Sequence, residues 1–432
     1  MSLSLRRVTA ATAGALAVAL TLGTASPALA QTASIDPSTL DADDLANIID
    51  LAGAIPVGSV VGVAGSVGSA DFPVGETFPN PPSYDPTPVD PEINTSEFLG
   101  IDSERAPFEI WKVTSAAMQR VIYLEVLPSQ VTDQGAAPVL YLLDGVGTGL
   151  KSTGWRNPGG IESRLKGENV HVVAPAGGNG SYFSDWNNED PKLGNHKWET
   201  FLTEELPGIV EERLTTGNGY AAGTNGKNGI GGISMGAQSA MHLASAHPDV
   251  YDAVMSFSGY YSTMDELGYQ SVRGAVESVG GNLDNMWGPK GSARWKDHDT
   301  ISRPRTLKDT RVYFSAGATV PGPDDFAHYG ADFQNILVGL LLESGALEGA
   351  KAFSKALDRA GVEHRVDYTE TGLHNWPNFM QNFANGWNYI KPALNGDDVD
   401  PGTEDPDSSG SSGSTGSAGS TGSSGSTGST GS

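Results

Sequence analysis

Gly232-Ile233-Ser234-Met235-Gly236 sets a serine between two glycines, directly ahead of the helix-forming run AQSAMHLASAH. A hydroxyl at a sharp strand-to-helix turn is the arrangement an acyl-transfer nucleophile needs, because the strained backbone tolerates only small neighbours. In a chain with 56 glycines the motif alone is weak, and the plain alternative is a serine that caps a helix. The chemistry therefore depends on partners: a base, an acid that orients it, and donors for an oxyanion.

In a fold that uses this motif the chain order is serine, acid, histidine. The histidines after Ser234 are His242, His247, His298, His328, His364 and His374. His374 follows a strand-like run in TETGLHNW, where a loop carries it to a sheet edge; His328 in PDDFAHYG is the next candidate. For the acid, Asp324 and Asp325 follow one strand-like segment, and Glu343 and Glu348 lie in LLESGALEGAKAF. Pattern does not choose among them. For the oxyanion, the backbone N–H of Met235, next to the serine, is one donor. Val139–Leu143 runs into Asp144-Gly145-Val146-Gly147, a Gly-rich turn after an apolar strand, which nominates the Val146 N–H as the second.

These residues need a scaffold. Short Val/Ile/Leu/Tyr-rich runs bounded by turn residues predict strands at Gln119–Val126, Val139–Leu143, Val170–Ala174, Arg311–Ser315 and Arg365–Tyr368. Helical patterns fall at Trp198–Leu214, Ala237–Ala246 and Ala346–Ala360. The alternation predicts an α/β domain with a mostly parallel sheet covered on both faces. The segment NGKNGIGGI ahead of Ser234 is poor in strand formers.

The rest of the 432-residue chain reads as export and tail. Residues 1–30 carry Arg6 and Arg7, an apolar core at Ala15–Leu22 and a small-residue cleavage site ending at Ala30, which predicts a signal peptide and a secreted, cell-envelope location. Residues 31–94 read as a partly irregular N-terminal extension, 95–395 as the catalytic domain, and 396–432 as an acidic, then Ser/Gly/Thr-rich flexible tail. There is no cysteine, so disulfides, a thiol nucleophile and Cys-based metal sites are excluded. A formal charge of −25 argues against nucleic acid, whose phosphates need clustered Lys and Arg.

Taken together, YLLDGVGTG, APAGGNGSYFSDWNNED, HKWETFLTEELPGIV, GGISMGAQSAMHLA, NMWGPKGSARWKDHD, LLLES and GLHNW resemble, in this order, the secreted mycolyltransferases of mycolate-bearing bacteria. The resemblance runs from about Arg105 to Leu394. It implies an α/β-hydrolase fold and a Ser234–His374–Glu343 triad, with Val146 and Met235 as oxyanion donors. It implies Asp144 and Trp376 as sugar-site residues, trehalose mycolates and arabinogalactan as substrates, a possible contact with the envelope lipid surface, and no metal or organic cofactor. Trp155, Tyr182 and Trp186 are further aromatic residues that could stack on sugar faces. Gly147 stands where the family carries an arginine, which removes an expected trehalose contact and keeps water in contention as acceptor. Asn375 stands where the family has serine.

Overall fold

Nine strands form one sheet among residues 89–330 and 333–396, the part of the chain that the computed structural model describes. They are β1 Phe98–Arg105, β2 Phe108–Ser115, β3 Arg120–Leu127, β4 Ala137–Leu143, β5 His171–Pro175, β6 Thr224–Ile233, β7 Ala253–Phe257, β8 Arg311–Ala316 and β9 His364–Tyr368. The spatial order is β1-β2-β3-β5-β4-β6-β7-β8-β9. The first three pair antiparallel, and β3 meets β5 antiparallel; from β5 to β9 every pair is parallel.

The helices are α1 Ile161–Arg164, α2 Trp198–Thr200, α3 Leu206–Arg213, α4 Met235–Ala246, α5 Glu266–Ser278, α6 Leu283–Met286, α7 Ala293–Asp297, α8 Pro323–Tyr329, α9 Phe333–Ala360, α10 Trp376–Gln381 and α11 Phe383–Asn395. A π-helical turn, Phe201–Glu205, joins α2 to α3. Strand β4 shows how the sheet is covered. Val139, Tyr141 and Leu143 pack in one core layer with α4 and with Phe353 and Leu357 of α9. Leu140 and Leu142 point the other way, onto Ile161 of α1 and Trp387, Ile390 and Leu394 of α11. The period of two along a strand buried on both faces is the geometry that forces an apolar run here.

The α/β-hydrolase arrangement expected from the sequence is present. β6 sits at the centre of the sheet although its residues are poor strand formers. Its glycines answer to close neighbours: a Cβ on Gly229 would stand 3.0 Å from Leu394 Cδ1 and 3.2 Å from Leu140 Cδ1. Packing from α11 and β4 thus requires glycine where propensity favours Val or Ile. Strands β1, β2 and β7 carry no signal in the reading above. β1 is largely exposed and β7 has only five residues. Helix α9 runs 28 residues, starting well before the predicted Ala346, so Glu343 lies inside a helix. The regions read as signal peptide, most of the extension, and the tail after Gly396 lie outside the described residues.

Candidate active site

The parallel strands deliver their C-terminal loops to one edge, where ligands bind in open α/β sheets. Ser234 follows β6 directly, with φ 53° and ψ −119°, a left-handed backbone that a serine rarely adopts. Two glycines permit it. A Cβ on Gly232 would lie 2.1 Å from the Gly236 carbonyl oxygen, and one on Gly236 would lie 2.3 Å from the Asp144 carbonyl oxygen. The Ser234 N–H donates to the Phe257 carbonyl at 3.0 Å, which ties the turn to β7.

His374 sits in the loop after β9. Its Nε2 is 2.7 Å from Ser234 Oγ, and its Nδ1 is 2.8 Å from Glu343 Oε2. Glu343 is fully buried. Its other oxygen, Oε1, accepts from Ser258 Oγ at 2.7 Å and from the Gly317 N–H at 2.5 Å. Burial alone would push this carboxyl up. The hydrogen bond and charge of His374, with the Gly317 and Ser258 bonds, outweigh it and hold the group below the ordinary glutamate value. A carboxylate so held orients the imidazole and stabilises its cation.

The two N–H groups expected to face an oxyanion, those of Met235 and Val146, lie on α4 and on the loop after β4. Met235 is the first residue of the twelve-residue helix α4, so its N–H belongs to the positive helix end. The β4 loop lies against the nucleophile: a Cβ on Gly145 would be 3.5 Å from Ser234 Cβ. Val146, next in the chain, is fixed through its carbonyl, which accepts from Gly180 N at 3.0 Å. The Thr148 N–H bonds Asn179 Oδ1 at 2.6 Å.

Residues 115–390 match the Esterase family model, well over half of the chain. Over 282 residues the chain is 31% identical to the diacylglycerol acyltransferase/mycolyltransferase Ag85A of Mycobacterium gordonae, an alignment covering 63% of this chain and 76% of that protein. The chain belongs to the mycolyltransferase family. It is also 28% identical to the Ag85C protein of Mycobacterium leprae, over 67% of this chain and 83% of that one. The crystal structure of Mycobacterium tuberculosis MPT51 superposes with a TM-score of 0.55 at 27% identity, over 67% of this chain and 99% of that one.

In this member of the family the other sequence candidates lie apart from the serine–histidine pair. Glu348 faces out and pairs with Lys351 at 3.1 Å. Asp324 and His328 are exposed on α8. Asp325 is buried and holds the base loop: its Oδ1 accepts from Leu373 N at 3.0 Å and Asn375 Nδ2 at 2.6 Å, and its Oδ2 from Gly322 N at 2.7 Å. Trp155, Tyr182 and Trp186 belong to the core, with at most 4% exposure, and present no face to a ligand. Their size and the apolar neighbours of each loop explain the difference.

Asp144 and Trp376 meet across one glycine. The Gly154 N–H donates to Asp144 Oδ2 at 3.0 Å, and a Cβ on Gly154 would stand 2.1 Å from Trp376 Cζ2. Trp376 is half-buried, edge-on to Trp155 at 5.5 Å between ring centroids. Asp144 is 1% exposed, and burial pushes its carboxyl up to about 7 against the hydrogen bonds from Gly154 and Thr148. Ser258 and Gly317, which hold the acid, are absent from the sequence reading. The one local signal is that each directly follows a strand.

Proposed function

We propose that this mycolyltransferase moves a mycoloyl group from trehalose monomycolate to trehalose or to cell-wall arabinogalactan through an acyl-Ser234 intermediate. The observation that carries the reading is the unbroken hydrogen-bonded line Ser234–His374–Glu343 at the start of α4. Ser234 Oγ attacks the ester carbonyl as His374 Nε2 takes its proton. The carbonyl oxygen becomes an oxyanion facing the Met235 and Val146 N–H groups, where one such donor is typically worth about 3–4 kcal/mol of barrier. His374 returns the proton to the departing trehalose oxygen. An acceptor hydroxyl then gives its proton to His374 and attacks the acyl-serine, and Ser234 is regenerated.

Hydrolysis of the same acyl-serine is the second reading, and Gly147 favours it. That residue is exposed on the β4 loop and offers no side chain to a sugar where the family carries an arginine. Residues 1–30 support export, which would bring the chain to its envelope substrates.

Product analysis tests the reading. The mature chain and Ser234→Ala are incubated with trehalose monomycolate, with and without labelled trehalose. Diacylated trehalose and label exchange, both lost in the variant, are expected. Free acid as the sole product makes the protein a hydrolase. Equal products, or none, from both forms remove Ser234 from the chemistry and leave a non-catalytic binding role.

A further inference from the structure

Behind the nucleophile helix a second group of polar side chains converges. Glu199 comes from α2 and His242 from α4, while His247 directly follows α4 and His298 directly follows α7. The side chains of His242 and His298 are 6% and 4% exposed. His298 Nδ1 is 2.8 Å from the Arg294 carbonyl oxygen. A carbonyl only accepts, so Nδ1 carries the proton and Nε2 presents a lone pair. That lone pair stands 4.0 Å from Glu199 Oε2, another acceptor. Among the described residues neither atom has a hydrogen-bond partner, and both ring nitrogens of His242 also lack one. His242 Nε2 is 3.8 Å from Glu199 Oε1.

Buried acceptors that face one another without a donor are costly. A divalent cation satisfies Glu199 and the His298 Nε2 lone pair together and takes one ring nitrogen of His242. One ligand atom from each of Glu199, His242 and His298 lies within 4.8 Å of the others. A histidine whose second nitrogen is tied to a backbone carbonyl is the usual outer-shell arrangement of a metal ligand. Two imidazoles and a carboxylate suit zinc, with bonds of about 2.0–2.2 Å.

We propose that Glu199, His242 and His298 form a zinc site that ties the nucleophile helix α4 to α2 and to the end of α7, with a water in the fourth position. The site has a structural role and is independent of the acyl-transfer reading. Tetrahedral geometry places donor atoms about 3.4 Å apart, so separations that now reach up to 4.8 Å close by as much as roughly 1.4 Å when the ion binds. His298 stays where Arg294 and the stacked Trp287 hold it. His242 now stacks on His298 at 4.1 Å between centroids, and it has no hydrogen bond to break as it tilts toward the ion. His247 Nε2, 2.8 Å from Glu199 Oε1, orients the carboxylate.

The test uses the untagged chain, stripped with chelator and titrated with zinc chloride, with zinc content and melting temperature as readouts. One zinc per chain and a Tm that falls by several degrees on stripping and returns with zinc are expected. His298→Asn and His242→Gln should each keep the fold by circular dichroism and bind zinc at least 100-fold more weakly. Wild-type protein that takes up no zinc and melts at the same temperature with and without it overturns the site. So does zinc uptake that is unchanged in both variants, since the ion is then held elsewhere.

Discussion

Asp325 and Asn375 are joined by a 2.6 Å hydrogen bond between Oδ1 and Nδ2, and the same oxygen accepts from the Leu373 N–H. The carboxylate therefore grips the chain on both sides of His374. The base loop is pinned further by the Tyr329 hydroxyl, which donates to the His374 carbonyl at 3.0 Å, and by the His374 N–H bond to Gly339. Asp325 acts through this loop, as a positioning residue.

Asp325→Asn replaces one acceptor with a donor that faces existing donors. A misplacement of about 1 Å in a reacting group costs on the order of 100-fold. Steady-state kinetics should show kcat reduced by about 10- to 100-fold with KM within a factor of two. An equal rise in KM, or an unchanged kcat, would remove the positioning role.

The acid assignment separates cleanly by mutation. Glu343→Gln keeps the shape but lets the amide face His374, Ser258 and Gly317 with the wrong polarity. The loss of an orienting carboxylate in a serine triad is typically about 10,000-fold in kcat, and a fall of at least about 1,000-fold is expected here. Glu348→Gln, on the exposed face of α9, should stay within a factor of two. Comparable losses in both would mean that the line through His374 is not what drives turnover.

Asp144 makes stability depend on pH. Its folded carboxyl is pushed up to about 7, while the unfolded group titrates near 4. Between those values the folded chain holds the extra proton, so this group's contribution to stability falls as pH rises through that window and levels off above it. The full shift corresponds to roughly 4 kcal/mol. Denaturant unfolding of wild type and Asp144→Asn from pH 4.5 to 8 should show the variant gaining on wild type up to about pH 7. A pH-independent difference would mean that Asp144 is ionised throughout.

Gly236→Ala drives a Cβ to 2.3 Å from the Asp144 carbonyl oxygen and 2.5 Å from that of Leu143. The end of β4 has to move, and the oxyanion loop moves with it. Overpacking usually costs about 1–3 kcal/mol, and contact with backbone puts this site at the upper end. Thermal melting should record that loss together with a fall in kcat; a variant with wild-type Tm and kcat would show that the turn can relax.

Much of the site was readable locally. A strand-to-helix turn compresses nucleophile, oxyanion donor and the required glycines into five residues, Gly232 to Gly236, so short-range sterics write it into the sequence. The apolar run Val139–Leu143 and the loop ahead of Trp376 are legible for the same reason. Strand β6 was nearly hidden, because Gly229 responds to Leu140 and Leu394 and Gly231 to Leu142, residues far away in the chain.

What tertiary structure alone decided is which distant groups meet. By residue pattern Asp325, Glu343 and Glu348 look alike, and only the family resemblance singled out Glu343; the packing of α9 on β8 turns Glu343 toward His374, Ser258 and Gly317 while Glu348 faces solvent. Trp155, Tyr182 and Trp186 became core because their loops fold inward. Glu199, His242 and His298 lie up to a hundred residues apart along the chain, so no short-range pattern joins them. Composition and local sterics determine elements and turns; the sheet order and helix faces determine which side chains share a few ångströms, and chemistry depends on that second choice.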